Sequence, residues 1–340
     1  MKDNKKIYRH IAFFIVLIGI TFFVLLKDQD LLQILRIISS VKIQYVLIGI
    51  LGISIYVICE AINIGRTLRS LKEKSTFLRN LKYALIGFFF SAVTPAASGG
   101  QPMQIYYMHK DKISVSNSTI TLLINLSSMQ IVTITFALVS LMFNYKYLNG
   151  VLITFFIIGI LLNLSALILL LIGIFSKRMT KGLINLALKV MKFFRIRNIE
   201  GKREKIEKEL TKYQDNADYI KNNKVLIIRT LLTTLVQFTA YYSITYWTYR
   251  ALGFSEHNIL EIITMQSVLF ATVSGIPSPG AVGVTEGAFI EIFKNVYPEG
   301  VMSSAVLLNR GINFYFLVIV SGMVTVVNHL RCERKVEENN

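Results

Sequence analysis

Four ionisable residues stand within otherwise apolar stretches of the chain: Glu60, Glu286, Glu291 and Arg310. A charge held away from water needs a counter-charge, a full set of hydrogen bonds, or a ligand that supplies one of these. Arg310, in "LLNRGINF", calls for a carboxylate or an anion such as a phosphate. Glu286 is the obvious protein partner, because its segment directly precedes that helix. A purely structural Glu286–Arg310 pair stays open beside the ligand reading. Glu60 and Glu291 fall closer to segment ends. Arg229 also lies near a helix end, where its long side chain can reach the interface.

Two backbone breaks accompany these charges. The first, "TPAASGGQP", contains Thr94, Pro95, Gly99, Gly100, Gln101 and Pro102, with Tyr106 one turn on. The second, "GIPSPGAVGVTEG", contains Pro279, Gly280, Gly283, Thr285 and Glu286. Proline ends a helix and glycine permits angles that other residues avoid. A new half-helix is expected after each break, with Pro102 in a first turn and Thr285 capping a helix that starts at Glu286. Free amides and the positive dipole end at such N-termini suit phosphate or carboxylate. All these residues, with Gln237, Tyr241 and Arg310, form the candidate substrate-binding set. No residue is expected to be catalytic.

The elements that position these residues follow from composition. The 340 residues are 53% hydrophobic with a mean hydropathy of +0.54. Runs of about 18 or more apolar residues are candidates for membrane helices. Six such runs occur, at residues 11–26, 45–64, 118–143, 151–175, 225–252 and 303–327. The fold class is therefore an all-α polytopic membrane protein, because lipid leaves backbone groups to satisfy one another within helices. A net charge of +17 fits basic loops on the cytoplasmic side better than nucleic-acid binding. With both termini cytoplasmic, 29 of the 37 Lys and Arg residues fall inside and six outside. The cell membrane is the expected location. The basic start has no small-residue cleavage site after it, so the first helix is expected to be retained.

Residues 82–112 and 258–295 each consist of two apolar halves around a break, and neither half is long enough to cross alone. The charges make the first a hairpin entering from the cytoplasm and the second a hairpin entering from outside. Flanked by their long helices, they form one unit in two inverted copies, residues 44–143 and 225–327. Residues 176–224 join the copies as a basic cytoplasmic connector, with 183–199 expected along the inner leaflet. The whole chain, 1–340, is one membrane domain. Two fully crossing kinked helices are the alternative to the hairpins. Paired interruptions at corresponding positions point to the binding site of a transporter.

Polar stripes flank the breaks. Thr230, Thr234, Gln237, Tyr241, Thr245 and Thr248 fall within roughly 80° of one helix face at about 100° per residue. Gly52, Tyr56, Glu60 and Asn63 repeat the pattern on an earlier helix. Such stripes face a cavity or another helix. The two cysteines, Cys59 and Cys332, imply no disulfide framework. The four scattered histidines lack metal-ligand spacing, and "GAVGVTEG" is not a dinucleotide fingerprint. No cofactor or metal is expected.

At "TPAASGGQPMQIYYM", "PSPGAVGVTEGAF" and the arginine of "LLNRGINF", the chain resembles the flippase-like membrane domain of lysylphosphatidylglycerol synthase, the multiple peptide resistance factor. The resemblance spans about residues 11–330. It assigns Gly99, Gly100 and Pro102 to one motif, Pro279, Gly280, Gly283, Glu286 and Gly287 to the other, and Arg310 to the final helix. The family's activities imply synthesis of aminoacylated phosphatidylglycerol, its transfer to the outer leaflet, and resistance to cationic antimicrobials. The soluble synthase domain is not found in the sequence, so lipid translocation is the expected function. The substrate is an anionic or aminoacylated phospholipid, or a polyprenyl-phosphate lipid. The alternative is a phosphatidylglycerol lysyltransferase acting with a separate synthase subunit.

Overall fold

Thr76 and Asn258 open the two broken segments with the same device. The Thr76 hydroxyl accepts from the Arg79 amide at 3.4 Å, and the Asn258 side chain accepts from the Glu261 amide at 2.9 Å. Each satisfies a backbone donor that the first helical turn leaves without a partner. The computed structural model describes residues 31–94, 97–144, 150–176, 182, 199–274, 276 and 279–337. The expected span at 11–26, the inner-leaflet stretch 183–198 and Pro95 lie outside the described residues.

Every regular element among the described residues is helical: α1 (Leu31–Ser39), α2 (Ile43–Ser70), α3 (Phe77–Val93), α4 (Gly100–Lys110), α5 (Val115–Asn144), α6 (Gly150–Phe175), α7 (Ile199–Asn222), α8 (Lys224–Ala251), α9 (Ile259–Val273), α10 (Val284–Phe293), α11 (Glu299–Arg310) and α12 (Phe316–Glu337). A π-helical turn, Gly311–Tyr315, joins α11 to α12. Five spans are long and apolar enough to cross a membrane: Ile43–Ser70, Val115–Phe143, Ile153–Phe175, Lys224–Ala251 and Glu299–His329. They coincide with the five expected spans that fall among the described residues. The chain is a multi-pass helical membrane protein. The outward side chains of α6 agree: Phe155, Ile157, Leu161, Leu164, Ile168 and Leu169 are all exposed. An apolar surface that continuous is suited to lipid.

The α2–α8 pair is the centre of the fold and runs antiparallel. At one end the Lys42 amide donates to the Ala251 carbonyl at 2.9 Å, and Tyr45 stacks on Trp247. At the other end Asn63 Nδ2 donates to Thr234 Oγ1 at 3.0 Å, and Arg66 donates to the Arg229 carbonyl at 2.8 Å. Gly52 lets the backbones approach between these ends, since a Cβ there would lie 3.1 Å from the Ala240 carbonyl oxygen. The two polar stripes therefore largely face each other. Thr230, Thr234, Thr245 and Thr248 are buried at this seam or against its neighbours, each to 1% exposure or less.

The first broken segment doubles back on itself. Helix α3 packs along α4, and Lys82 Nζ and Tyr83 Oη both reach Asp111 Oδ2 at 2.5 Å. One carboxylate thus ties the start of α3 to the turn after α4. Burial pushes the Asp111 carboxyl up. The hydrogen bonds from Lys82 and Tyr83, with the Lys82 charge, outweigh burial and hold it below its ordinary value. A depressed folded-state value stabilises the fold above the unfolded-state value, and that stability is lost as pH falls through the folded one. Asp111→Asn is expected to cost about 1 kcal/mol near neutrality, and the difference from wild type should vanish in strong acid. Melting temperatures recorded against pH check this; a gap that stays constant with pH would assign the loss to packing. The second broken segment doubles back likewise, α9 lying along α10. Ile262 on α9 shares a core with Phe293, Val296 and Tyr297 at the end of α10.

Candidate functional site

Both breaks open onto one cavity of about 400 Å³. Ala97, Gln101 and Gln104 line it from the first break; Ser274, Ile276, Gly280, Ala281 and Thr285 line it from the second. Tyr56 and Glu60 of α2, Asn125 of α5 and Tyr241 of α8 complete one part of the wall. Gln266 of α9 and Asn309, Arg310, Asn313 and Phe314 of the last helices complete another. Irregular backbone at membrane depth is tolerated where it lines such a space.

The second break is shaped by a left-handed turn. Gly280 and Ala281 have φ of 59° and 50°, and Gly283 has φ of 85°. Gly283, and not Thr285, is the N-cap. Helix α10 starts at Val284, one residue before Thr285, whose hydroxyl instead donates to the Ala281 carbonyl at 2.9 Å. Glycine takes this cap because the angle is left-handed. Glu286 then reaches back, and its Oε2 accepts from the Gly283 amide at 2.6 Å. An acid in the first turn also meets the positive end of the helix dipole.

The other Glu286 oxygen holds Arg310: Nε donates to Oε1 at 2.8 Å. Arg310 Nη2 donates to the Gly280 carbonyl at 3.1 Å, and the guanidinium lies 4.2 Å from the Phe314 ring centroid. Glu286 is 1% and Arg310 6% exposed. The pair joins the left-handed turn, the start of α10 and the end of α11. Arg310 still lines the cavity, and a guanidinium has five N–H donors, more than these two bonds use.

The first break is built more tightly. Gly99 donates its amide to Thr94 Oγ1 at 2.9 Å. Gly100 is buried where a Cβ would lie 2.1 Å from Ser91 Oγ. Gln104, one turn into α4, donates from Nε2 to the Tyr83 carbonyl at 3.1 Å and to Glu60 Oε1 at 3.4 Å.

The residues singled out in the sequence therefore separate. Gln101, Tyr241, Gly280, Thr285 and Arg310 line the cavity, as does Glu60. Glu286 sits behind Arg310; Thr94, Gly99, Gly100, Pro279 and Gly283 shape the breaks. Pro102, in the first turn of α4, is exposed. Tyr106 is exposed as well and carries Lys110 Nζ 4.7 Å from its ring centroid. Gln237 is fully buried and not part of the cavity wall. Glu291 pairs with Lys294 at 2.5 Å on an exposed face, and Arg229 is exposed. Gln104, Gln266, Asn309 and Asn313 were not expected at the site. Asn309 and Asn313, four residues apart beside Arg310, carried a readable signal: polar side chains at helical spacing around a buried charge. The lone Gln266, in apolar "TMQSVLF", carried a weaker one.

Comparison with curated proteins gives no match. Residues 10–321 of the 340 match the lysylphosphatidylglycerol synthase TM region, and with its helical spans and paired breaks the chain belongs to that membrane family.

Proposed function

We propose that the protein moves the headgroup of an anionic or aminoacylated phospholipid between leaflets, through the cavity between the two breaks. The observation that carries this reading is that one cavity is lined by both breaks and by a buried arginine. The acyl tails stay in lipid. The remaining Arg310 donors and the start of α4 at Gly100–Gln101 receive the phosphate. Glu286 keeps the guanidinium in place.

Alternating exposure of the cavity needs two halves that can exchange roles. The halves proposed are residues 44–143 and 225–327, inverted across the membrane. Reciprocal packing supports this. Helix α3 of the first half lies on α12 of the second, and α9 of the second lies on α5 of the first. Ser140 Oγ and Ser267 Oγ meet at 2.6 Å on one side. On the other side a Cβ on Gly322 would lie 3.1 Å from the Phe89 ring. The antiparallel α2–α8 pair takes one helix from each half and joins them at the centre. The positive-inside rule then puts the first hairpin at the cytoplasmic face of the cell membrane and the second at the outer face.

The test is reconstitution in phosphatidylethanolamine–phosphatidylglycerol vesicles carrying fluorescent acyl-labelled phosphatidylglycerol. Protein-dependent loss of the protected inner-leaflet fluorescence on adding an impermeant quencher is expected. Unchanged protection, with aminoacylated phosphatidylglycerol tried as well, removes the proposal.

A further inference from the structure

The charges around the cavity do not balance. Arg310 is matched by Glu286, whose second oxygen is taken by the Gly283 amide. Glu60 lines the same cavity, yet no ion pair joins it to a Lys or Arg among the described residues. Its bond comes from a neutral amide, Gln104 Nε2. By contrast Asp111 has Lys82 and Glu291 has Lys294.

Among the described residues, the groups around Glu60 supply no counter-charge. From α2 comes Tyr56, one turn earlier; from α8 comes Tyr241, whose ring centroid is 5.1 Å from that of Tyr56. Helix α4 presents Gln104 and α5 presents Asn125, both uncharged. The Tyr83 hydroxyl of α3 is committed to Asp111. Arg310, also on the cavity wall, is already neutralised by Glu286 behind it. A second observation comes from Asn125. It is 4% exposed, lines the same cavity, and its Oδ1 accepts from no donor among the described residues.

We propose that Glu60 is a proton-binding site within the cavity, and that its protonation is coupled to the position of the first broken segment. The site stands on its own geometry; only what the coupling drives rests on the lipid-translocation reading. An ionised carboxylate without a cation is costly at membrane depth, and a proton from water is the smallest charge that neutralises it. Proton binding forms one O–H bond on a Glu60 carboxylate oxygen and breaks one in a donor water or hydronium. The ionised acid accepts a charge-assisted bond from Gln104, which weakens when the acid becomes neutral. The neutral acid gains an O–H donor, and Asn125 Oδ1 is an acceptor in the same cavity that has no donor among the described residues. Protonation thus loosens the link from α2 to α4 and offers α5 in exchange. Since Gln104 also holds the Tyr83 carbonyl, that link bears on both arms of the first broken segment.

Hydrogen exchange of the full chain in lipid nanodiscs tests this without a transported lipid. After correction for intrinsic chemistry, amides of α4 should exchange several-fold faster in mild acid than in mild alkali. Glu60→Gln should remove the pH response and hold α4 near one limit. Gln104→Met, which removes the reporting bond and keeps the acid, should flatten the response too. Equal pH profiles in wild type and Glu60→Gln overturn the proposal, as does a response to sodium at fixed pH in place of one to pH. In vesicles the same switch should make translocation of fluorescent phosphatidylglycerol pH-dependent. If α4 responds to pH through Glu60 but no lipid moves, the lipid reading fails and the proton site stands. If lipid moves identically at every pH and in Glu60→Gln, the proton coupling fails alone.

Discussion

Arg310→Met is expected to lower stability by about 3–5 kcal/mol, because it leaves Glu286 buried with no counter-charge. Glu286→Gln should cost a similar amount, since Arg310 is then the uncompensated charge. Neutral interhelical hydrogen bonds in membrane proteins are worth much less, on average about 0.6 kcal/mol. The large value here comes from charge, and from an exposure of 1% and 6% for the two partners. The double variant, Glu286→Gln with Arg310→Met, removes both charges. It keeps an acceptor for the Gly283 amide, and it should recover most of the loss. Thermal melts in detergent and in nanodiscs check the cycle; costs that simply add would mean the two side chains do not act as a pair.

The same cycle separates structure from function. If Arg310 only holds the second break in shape, the double variant should regain lipid translocation along with stability. The proposed role requires more: the guanidinium holds one break and also receives the phosphate. The double variant is therefore expected to be stable and inactive. Recovered translocation would reduce Arg310 to a positioning residue and move phosphate recognition to the helix starts.

The elements of this site were readable to different depths. Long apolar runs give membrane helices because lipid leaves the backbone no other partner, so the five described spans fall where hydropathy puts them. The Glu286–Arg310 pair was readable for a related reason: two opposite charges close in an apolar sequence have few other outcomes. The destination of a polar stripe was not. Thr230 and Thr234 sit on the same face as Tyr241, yet the threonines serve the α2–α8 seam and the tyrosine the cavity. Periodicity defines a face, and only tertiary packing decides what covers it. The cap of α10 shows the limit within a single turn. Thr285 is a good capping residue by type, but Gly283 takes the position because the preceding chain arrives at a left-handed angle. Gln104 was hidden for a third reason: its importance lies in reaching Glu60, which is 44 residues away.

Gly280→Ala should be the most damaging small substitution in the second break, at about 2–5 kcal/mol. Two costs combine. A left-handed angle at a residue with a Cβ costs about 1–2 kcal/mol, and overpacking adds about 1–3 kcal/mol. The second cost has a specific source, since the new Cβ would lie 2.4 Å from Phe314 Cζ. Phe314 has little room to give way. Its ring lies under Arg310 at 4.2 Å and against Phe88 at 6.2 Å between centroids. A displaced ring would disturb Arg310, which also bonds the Gly280 carbonyl. Ala281, the next residue, provides the control. It already has φ of 50°, so Ala281→Gly should relieve strain and leave the melting temperature equal or higher. Phe314→Leu makes room for the Cβ, so adding Gly280→Ala to that background should cost only the left-handed share. If Gly280→Ala is equally costly with and without Phe314, the collision does not cause the loss. The turn would then need glycine for its backbone angle alone.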